Sequence, residues 1–381
     1  MSRSIRRRYG IFALFGLSLI LGAFLVVTHS AGRDNAAGIR IQGRGVVPHL
    51  TFACCEADPA EAQKLFSQPD VVRLLRKLHA TVAISLLDLS AQRADLVRSL
   101  NEQGIPVAGW IELEKKQGYY LTADNASEAA SRVRAFEKWT SDYGLRWVAI
   151  GLDIEPNFAE FAELRKRPWV LIGTLLRRSM NGGRVTDARK AYSTLINEIR
   201  SRGYAVQIYQ MPFIPAEQSV HSSLLDRLLG TVNISGDQDY LMLYTSFARG
   251  IGEGMIWSLG PHAQGIAIGS TDGDLPPGTA NGPLDWDEFS RDLIVASHFT
   301  SQVGVYDLEG CVRQGFLPRL LTMNWGQSVI VSQGSVRRAA LFGFIARSAL
   351  WVASNLFYFI TAIFLLIGWL SWRRRLRRKT L

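Results

Sequence analysis

Eight apolar, strand-like runs follow one another at regular intervals along the middle of this 381-residue sequence. Segments with helical periodicity lie in most of the gaps, and several end at a glycine such as Gly104, Gly144 or Gly203, the residue type expected just after a helix. Strands that alternate with helices predict a parallel sheet. The runs span residues 46–55, 80–89, 105–113, 146–155, 204–213, 239–247, 264–272 and 301–309.

Eight units of this kind, over about 270 residues, match a (β/α)8 or TIM barrel. The competing α/β fold is a doubly wound open sheet, which is expected to have a glycine-rich phosphate-binding turn after its first strand. Residues 53–59 read ACCEADP and contain no glycine. We therefore predict a TIM barrel over residues 46–325. Its helices are predicted at 69–79, 91–103, 127–143, 186–202 and 285–297.

Two apolar segments flank the predicted barrel. Residues 9–28 are uncharged and mostly apolar, and residues 348–372 are apolar and rich in aromatic side chains. Because about 20 such residues cross a bilayer core, each segment predicts a transmembrane helix. Residues 29–45 and 326–347 are then linkers. A cleaved signal peptide remains the alternative for the first segment, and a buried core helix for the second.

The basic residues predict an orientation. The tails 1–8 and 373–381 hold ten cations and no acid, which accounts for the whole net charge of +10. Positive charge stays on the cytoplasmic side, so both termini are predicted to be cytoplasmic and the barrel extracytoplasmic. A bacterial inner membrane with a periplasmic barrel is the simplest case. The balanced charge of the remainder argues against a nucleic-acid partner and leaves the lipid bilayer as a predicted one.

The sequence VAIGLDIEPNF, residues 148–158, is the most informative motif for chemistry. In a strand, residues two apart face the same way, so Gly151, Asp153 and Glu155 share a face, predicted to be the barrel interior. Two carboxylates there are costly unless solvated, paired or used. A like-charged neighbour raises the pKa of one of them, which suits a general acid. A salt-bridged structural pair is the alternative.

With this motif in place, the chain resembles glycoside-hydrolase barrels, most of all the family 18 chitinase-like group. That family ends its fourth strand with D-x-x-D-x-D-x-E. The final D-x-E is present as Asp153 and Glu155, whereas Val148 and Gly151 occupy the earlier aspartate positions. The resemblance implies that Glu155 protonates the glycosidic oxygen and that Asp153 orients a substrate acetamido group. An ordinary two-carboxylate mechanism also remains open.

The resemblance extends to two tyrosines. The family has an M-x-Y motif on its sixth strand, and Met242 and Tyr244 match it, with Thr245 where the family usually has an aspartate. Tyr244 is thereby implied to be a third catalytic residue. The family often has an aromatic residue at the end of strand eight, and Tyr306 is the loose candidate here.

Polar and aromatic residues end several other predicted strands, where barrel active sites are built. Aromatic faces suit stacking on sugars, while amides and acids suit hydroxyl groups. If a second carboxylate is needed, Glu112, Asp307 and Glu309 are the candidates. The predicted substrate-binding residues are Trp110, Glu112, Tyr209, Gln210, Tyr306, Asp307 and Glu309.

The sequence predicts no metal site and no cofactor. Its six histidines lack metal-binding spacing, and no G-x-S-x-G motif marks a serine nucleophile. Cys54 and Cys55 close the first predicted strand and Cys311 follows the eighth, and these strands are neighbours in a closed barrel. A disulfide from one of the pair to Cys311 is therefore predicted, with three buried thiols as the alternative.

Three functions remain after this reading. The first is a membrane-anchored glycoside hydrolase acting on a cell-envelope or extracellular polysaccharide or oligosaccharide. The second is a non-catalytic carbohydrate-binding barrel with protein partners in an envelope or exopolysaccharide assembly or export system. The third is another barrel enzyme, of isomerase or aldolase type. It would need a metal or a Schiff-base lysine, and Lys115 and Lys116 are the nearest lysines to a strand end.

Overall fold

A computed structural model of the chain describes residues 38–56, 59–157, 159–160, 163, 172–272, 282–355 and 369. The strands are β1 Gly38–Gln42, β2 His49–Cys54, β3 Thr81–Ser85, β4 Val107–Ile111, β5 Ala149–Asp153, β6 Ala205–Gln210, β7 Gln238–Met242, β8 Gly265–Gly269, β9 Gln302–Tyr306 and β10 Ser328–Ser332. The α-helices are Pro59–Phe66, Pro69–Lys77, Ala91–Glu102, Ala126–Tyr143, Ile172–Ser179, Gly182–Ser201, Ile214–Ser219, Leu224–Leu229, Gly252–Leu259, Trp286–Phe299, Leu308–Arg313, Phe316–Thr322 and Gln333–Ser354.

Strands β2 to β9 form a closed parallel barrel in chain order. Closure occurs because β2 pairs with both β3 and β9, so that Thr51 lies between Thr81 and Gly304. An open sheet would leave β2 and β9 at or near separate edges, so this pairing excludes the doubly wound alternative. Each predicted apolar run coincides with one barrel strand, and the TIM-barrel prediction is confirmed.

The barrel is packed on both faces. Strands β3, β4, β5 and β8 are buried at every residue, which explains why they read as continuous apolar runs. On one side of the interior, the small residues Ala83, Ala108 and Ala149 pair across neighbouring strands. On the other side the fully buried Tyr240 fills the lumen. A Cβ on Gly265 would lie 2.7 Å from the Tyr240 ring, so the strand needs glycine there.

A second, two-stranded sheet lies outside the barrel. β1 and β10 pair antiparallel from Gly38 opposite Ser332 to Gln42 opposite Ser328. Both strands lie within the segments 29–45 and 326–347 that the sequence analysis treats as linkers. They were missed because only one residue of each strand is fully buried, so neither is a continuous buried run, and each strand's partner lies far away along the chain. Ile41 and Val331 are buried against the main core, so the pair is packed onto the barrel.

The helix Gln333–Ser354 begins directly after β10 and packs along the barrel flank. The backbone N–H of Gly254 donates to Ser335 Oγ at 3.0 Å near its start, and Leu350 packs with Leu175 and Leu224 near its end. Over the part of the chain that the structure describes, no helix is both long and apolar enough to cross a bilayer. The predicted segment 9–28 lies outside the described residues. Of 348–372, only 348–355 and 369 lie within them.

Candidate functional site

The β5 carboxylates lie at the C-terminal mouth of the barrel. Gly151 faces the lumen, because a Cβ there would approach the Tyr209 ring to 3.1 Å. Asp153, two residues on, pairs with Tyr209 of β6 and is buried, and Glu155 follows half-buried just beyond the strand. Pro156 comes next and cannot donate to a ladder. The strand thus delivers both carboxyl groups to the mouth, on the face predicted from the two-residue period.

Aromatic rings surround these carboxyl groups. Tyr209 stacks on Tyr240 with ring centroids 5.4 Å apart, and Trp110 lies 6.5 Å from Tyr209. On the other side of Trp110, Tyr306 meets it edge-on at 6.4 Å and stacks on Tyr244 at 5.6 Å. Four predicted site residues, Trp110, Tyr209, Tyr244 and Tyr306, are therefore brought together in one continuous aromatic wall.

The environment favours protonated carboxyl groups on β5. Burial, followed by the charge of Glu56, raises the pKa of Glu155 to about 7. Burial and the charges of Glu155 and Glu112 hold the pKa of Asp153 well above its usual range, opposed by the indole of Trp110. One buried oxygen of Asp153, Oδ1, makes no hydrogen bond within the described structure, so it remains available to a ligand.

Glu112 belongs to the same cluster of carboxyl groups and is less exposed than Glu155. It is fully buried and accepts a hydrogen bond from the hydroxyl of Ser85. Burial and the charge of Glu56 raise the pKa of Glu112 to about 8. The buried guanidinium of Arg93 is the nearby cation and acts in the opposite direction. Because Ile111 pairs with Leu152, Glu112 lies level with Asp153 at the C-terminal end of the barrel, and its burial makes it part of the packed cluster rather than an exposed contact.

Glu56 was not identified from the sequence, although it follows the last residues of β2 directly. Its carboxylate accepts hydrogen bonds from the hydroxyl of Tyr119 at 2.7 Å and from that of Tyr306 at 2.8 Å. Its charge raises the pKa of Glu155, Asp153 and Glu112. The available signal was its position at a strand end, but that segment was interpreted only through its cysteines.

Tyr119 and Tyr120 were also missed. They follow the short 3-10 helix Lys115–Gln117 in the connection after β4, and their rings meet edge-on at 4.9 Å. Burial and the charges of Glu155 and Asp153 raise the pKa of the Tyr120 hydroxyl, so this hydroxyl lies within electrostatic reach of both β5 carboxyl groups. Lys116, one of the two lysines considered for a Schiff base, is exposed and forms an ion pair with Glu114 at 2.7 Å.

Three predicted binding residues have local partners. The Gln210 amide donates to the carbonyl of Ile234 at 2.9 Å, outside the aromatic wall. Asp307 caps the helix Leu308–Arg313 by accepting from the backbone N–H of Gly310 at 2.8 Å. Burial and the charge of Glu309 raise the pKa of Asp307 to about 8. Glu309 itself accepts from the backbone N–H of Cys55 at 2.7 Å.

The predicted bridge to Cys311 is wrong. Cys54 and Cys55 form a disulfide with each other, and Cys311 is a buried free thiol beside Thr271. The physical reason is the position of Cys311. The helix Leu308–Arg313 holds its thiol beside the Thr271 hydroxyl rather than beside Cys54 or Cys55. The structure thus differs from both the predicted pairing and the alternative of three thiols.

One group of side chains has the proximity of a metal site. Within the described part of the chain, Cys54, Cys55 and Glu309 place candidate ligand atoms within 4.8 Å of one another. Cysteine binds metals as a thiolate, and both sulfur atoms here are joined in the disulfide. The donor set in this state therefore does not fit a metal ion.

Similarity to known proteins is found among solved structures. No protein-family model matches the chain, and no curated protein matches its sequence. Among solved structures, it is similar to the PgaB (BpsB) glycoside hydrolase domain from Bordetella bronchiseptica at 10% identity and a TM-score of 0.48, covering 72% of this chain and 98% of that one. It is also similar to the E. coli 3-keto-D-glucoside 4-epimerase YcjR at 12% identity and a TM-score of 0.41, covering 72% and 100%. For Saccharomyces cerevisiae Gas2p the identity is 9% and the TM-score 0.38, covering 78% and 66%.

Proposed function

We propose that the protein is a membrane-anchored, extracytoplasmic glycoside hydrolase that acts on a cell-envelope or extracellular polysaccharide. Glu155 is its general acid and Asp153 assists. One observation carries the proposal: two carboxyl groups leave β5 side by side at the mouth of a TIM barrel and are enclosed by aromatic rings. TIM-barrel enzymes work at this end of the barrel.

The protonation of Glu155 supports the role of acid. With a pKa raised to about 7 by burial and the charge of Glu56, a large part of Glu155 carries its proton at neutral pH. It can then give that proton to the glycosidic oxygen as the bond to the anomeric carbon breaks. The leaving sugar departs as an alcohol rather than an alkoxide, which removes most of the cost of cleavage.

The aromatic wall supports a sugar substrate. The faces of Trp110, Tyr209, Tyr244 and Tyr306 offer apolar surfaces for the C–H faces of pyranose rings. The unpartnered Oδ1 of Asp153 supplies a polar contact for hydroxyl or acetamido groups. Asp153 therefore orients the sugar whose linkage Glu155 protonates.

Membrane anchoring rests on the predicted apolar segments 9–28 and 348–372. The helix Gln333–Ser354 leads into the second of them and supports this part of the proposal. It exposes Leu341, Phe344 and Trp351 at 53%, 63% and 49%, three to seven residues apart and thus on one side of the helix. Arg337 and Arg347 are exposed on the same helix and suit anionic lipid headgroups.

The test uses the full chain in detergent micelles with a panel of β-linked polysaccharides, including N-acetylated polymers and peptidoglycan. Released oligosaccharides are measured by mass, with Glu155→Gln beside the wild type and Glu102→Gln, an exposed helix-end glutamate, as matched control. We expect cleavage of one polymer class, lost in Glu155→Gln and kept in Glu102→Gln. Cleavage that survives in Glu155→Gln would remove Glu155 from the role of acid.

A non-catalytic carbohydrate-binding barrel is the second candidate. Gly151 stands at the second acidic position of the family motif, and a Cβ there would lie only 3.1 Å from the Tyr209 ring, so this barrel has an aromatic ring crowding the place of that aspartate. Binding of a polysaccharide on an affinity column without any released oligosaccharide, and unchanged in Glu155→Gln, would favour this candidate. Its partners would then be envelope or export proteins.

A further inference from the structure

We infer that Glu56 is the second carboxylate of the site and acts as the nucleophile opposite the acid Glu155, which makes the protein a retaining hydrolase. The inference rests on the proposed function and names a residue whose strand lies three strands away from that of the acid around the barrel. Glu56 follows β2, whereas the acid follows β5, so the two groups approach a sugar from different strands.

Two phenol groups fix the Glu56 carboxylate. Tyr119 donates to one oxygen at 2.7 Å and Tyr306 donates to the other at 2.8 Å. Tyr306 ends β9, which pairs with β2 where the barrel closes, and Tyr119 comes from the connection after β4. Because both oxygens serve as acceptors, the group is held in one orientation as a carboxylate. Such preorganisation is what a nucleophile requires.

The backbone before Glu56 is also held. The N–H of Cys55 donates to Glu309 at 2.7 Å, and its carbonyl accepts from the buried Arg93 at 2.9 Å. Cys55 has φ of 74°, a left-handed conformation that a non-glycine residue adopts only when its surroundings enforce it. The disulfide to Cys54 closes the same peptide. Glu56 therefore projects from an anchored turn.

The alternatives named from the sequence are engaged elsewhere. Glu112 is fully buried and accepts a hydrogen bond from the Ser85 hydroxyl. Asp307 caps a helix, and Glu309 holds the Cys55 amide. Glu56 instead shares one of its tyrosines with the aromatic wall, because Tyr306 also stacks on Tyr244.

The electrostatics agree with a division of roles. The charge of Glu56 contributes to the raised pKa of Glu155 and of Asp153. A charged carboxylate that keeps a second carboxyl group protonated is the arrangement that two-carboxylate glycosidases use. The same carboxylate would lower the energy of the positive charge that develops at the anomeric carbon.

The reaction balances in two steps. First, a Glu56 oxygen bonds to the anomeric carbon, the glycosidic C–O bond breaks, and the leaving oxygen takes the proton of Glu155. Second, water attacks the same carbon and gives a proton to Glu155, and the bond to Glu56 breaks. Both carboxyl groups return to their starting forms, and two inversions give a product with retained configuration.

The experiment uses the full chain and whichever polysaccharide of the panel the wild type cleaves. We expect Glu56→Gln to lose roughly 10²- to 10⁴-fold in rate, the range typical for a group acting in the transition state, and Glu102→Gln to lose nothing. Proton NMR of the wild-type product, recorded before mutarotation, should show retention. Added azide should restore turnover of Glu56→Ala, whose truncated side chain leaves room for the azide, and the product should be a glycosyl azide of inverted configuration.

The outcomes separate the two proposals. A wild type that cleaves with inversion, or a Glu56→Gln variant that cleaves at the wild-type rate, overturns the nucleophile while leaving the hydrolase intact. A folded wild type without turnover on every polymer overturns both. If Glu56→Gln fails to fold, Glu56→Asp keeps the charge but shortens the reach. A near-wild-type rate in that variant would contradict the inference.

Discussion

The hydroxyl of Tyr306 donates to the Glu56 carboxylate at 2.8 Å across the seam where β9 meets β2. The bond joins the last barrel strand to the first at the mouth, next to the proposed acid. It also couples the aromatic wall to the acidic cluster, because the same ring stacks on Tyr244. Removal of this hydroxyl should therefore affect chemistry more than folding.

Tyr306→Phe tests that expectation. The ring and its stacking remain while one of the two donors to Glu56 is lost, so the free energy of unfolding should fall by about 1.5 to 3 kcal/mol, the usual contribution of a hydrogen bond to a charged group. The rate on the cleaved polymer should fall, with Tyr119→Phe giving a similar loss and the double variant a larger one. Steady-state kinetics and urea unfolding measure both quantities. A large loss of stability with an unchanged rate would assign the bond a purely structural role.

The activity should depend on pH through Glu155. Its pKa is raised to about 7, and the acid must be protonated to act, so kcat/KM should be full below that pH and fall above it. Each further pH unit should cost about tenfold. The measurement is kcat/KM between about pH 5 and about pH 9 in buffers of constant ionic strength. A rate that keeps rising through this interval would contradict the assignment.

Stability should decline as pH rises, in part through Glu112. Its folded-state pKa is raised to about 8 from 4.5, so the native state binds the proton more tightly than the unfolded chain does. This contribution is present at acidic pH and is lost as pH rises from the unfolded pKa through the folded one. Glu112→Gln keeps an acceptor for Ser85 and removes the charge. Its unfolding free energy should therefore vary less with pH than that of the wild type.

The matched control for this comparison is Glu102→Gln, which alters an exposed glutamate. It should leave the pH dependence of unfolding as in the wild type. Asp153, Asp307 and Glu155 also have raised pKa values, so part of the slope will persist in Glu112→Gln. An unchanged slope in Glu112→Gln would show that the group is not buried in its charged form at high pH.

The cysteine pairing can be read directly by mass. The oxidised protein, digested after alkylation under denaturing conditions, should give a peptide with an internal Cys54–Cys55 bond and a separate, alkylated Cys311. In the native protein Cys311 should resist alkylation because it is buried. Reduction before alkylation should label all three cysteines and serves as the control. A cross-linked peptide containing Cys311 would refute this pairing.

The barrel itself was predictable because its strands are buried on both faces. Runs such as ATVAI and VAIGL are apolar at nearly every position, and their spacing by helices leaves few folds to choose from. The pair β1 and β10 was not predictable in the same way. Each strand has only one fully buried residue, and the pairing of Gly38 with Ser332 joins residues that no local sequence pattern relates.

The site was predictable strand by strand but not across strands. Asp153 and Glu155 were found because residues two apart along a strand direction face the same way. Tyr209 and Gln210 are adjacent on β6 and therefore face opposite ways, so only one of these two predicted binding residues can face the site. Glu56 acquires its role from tyrosines that other segments supply. A single sequence carries no signal for such a meeting of three separate segments.

The pairing of Gly38 with Ser332 places the start of β1 next to the end of β10, and this determines where the two flanking segments join the barrel. Residue 38, where the described chain begins, lies beside the start of the helix Gln333–Ser354. The length of that helix therefore separates residue 38 from residue 355, where the continuous described chain ends. Its 22 residues span about 33 Å. If both flanking segments enter one bilayer, the part of this helix before residue 348 must lie close to the bilayer surface, because the second predicted membrane segment begins at residue 348. The exposed Leu341 and Phe344 would then be the side chains nearest the lipid.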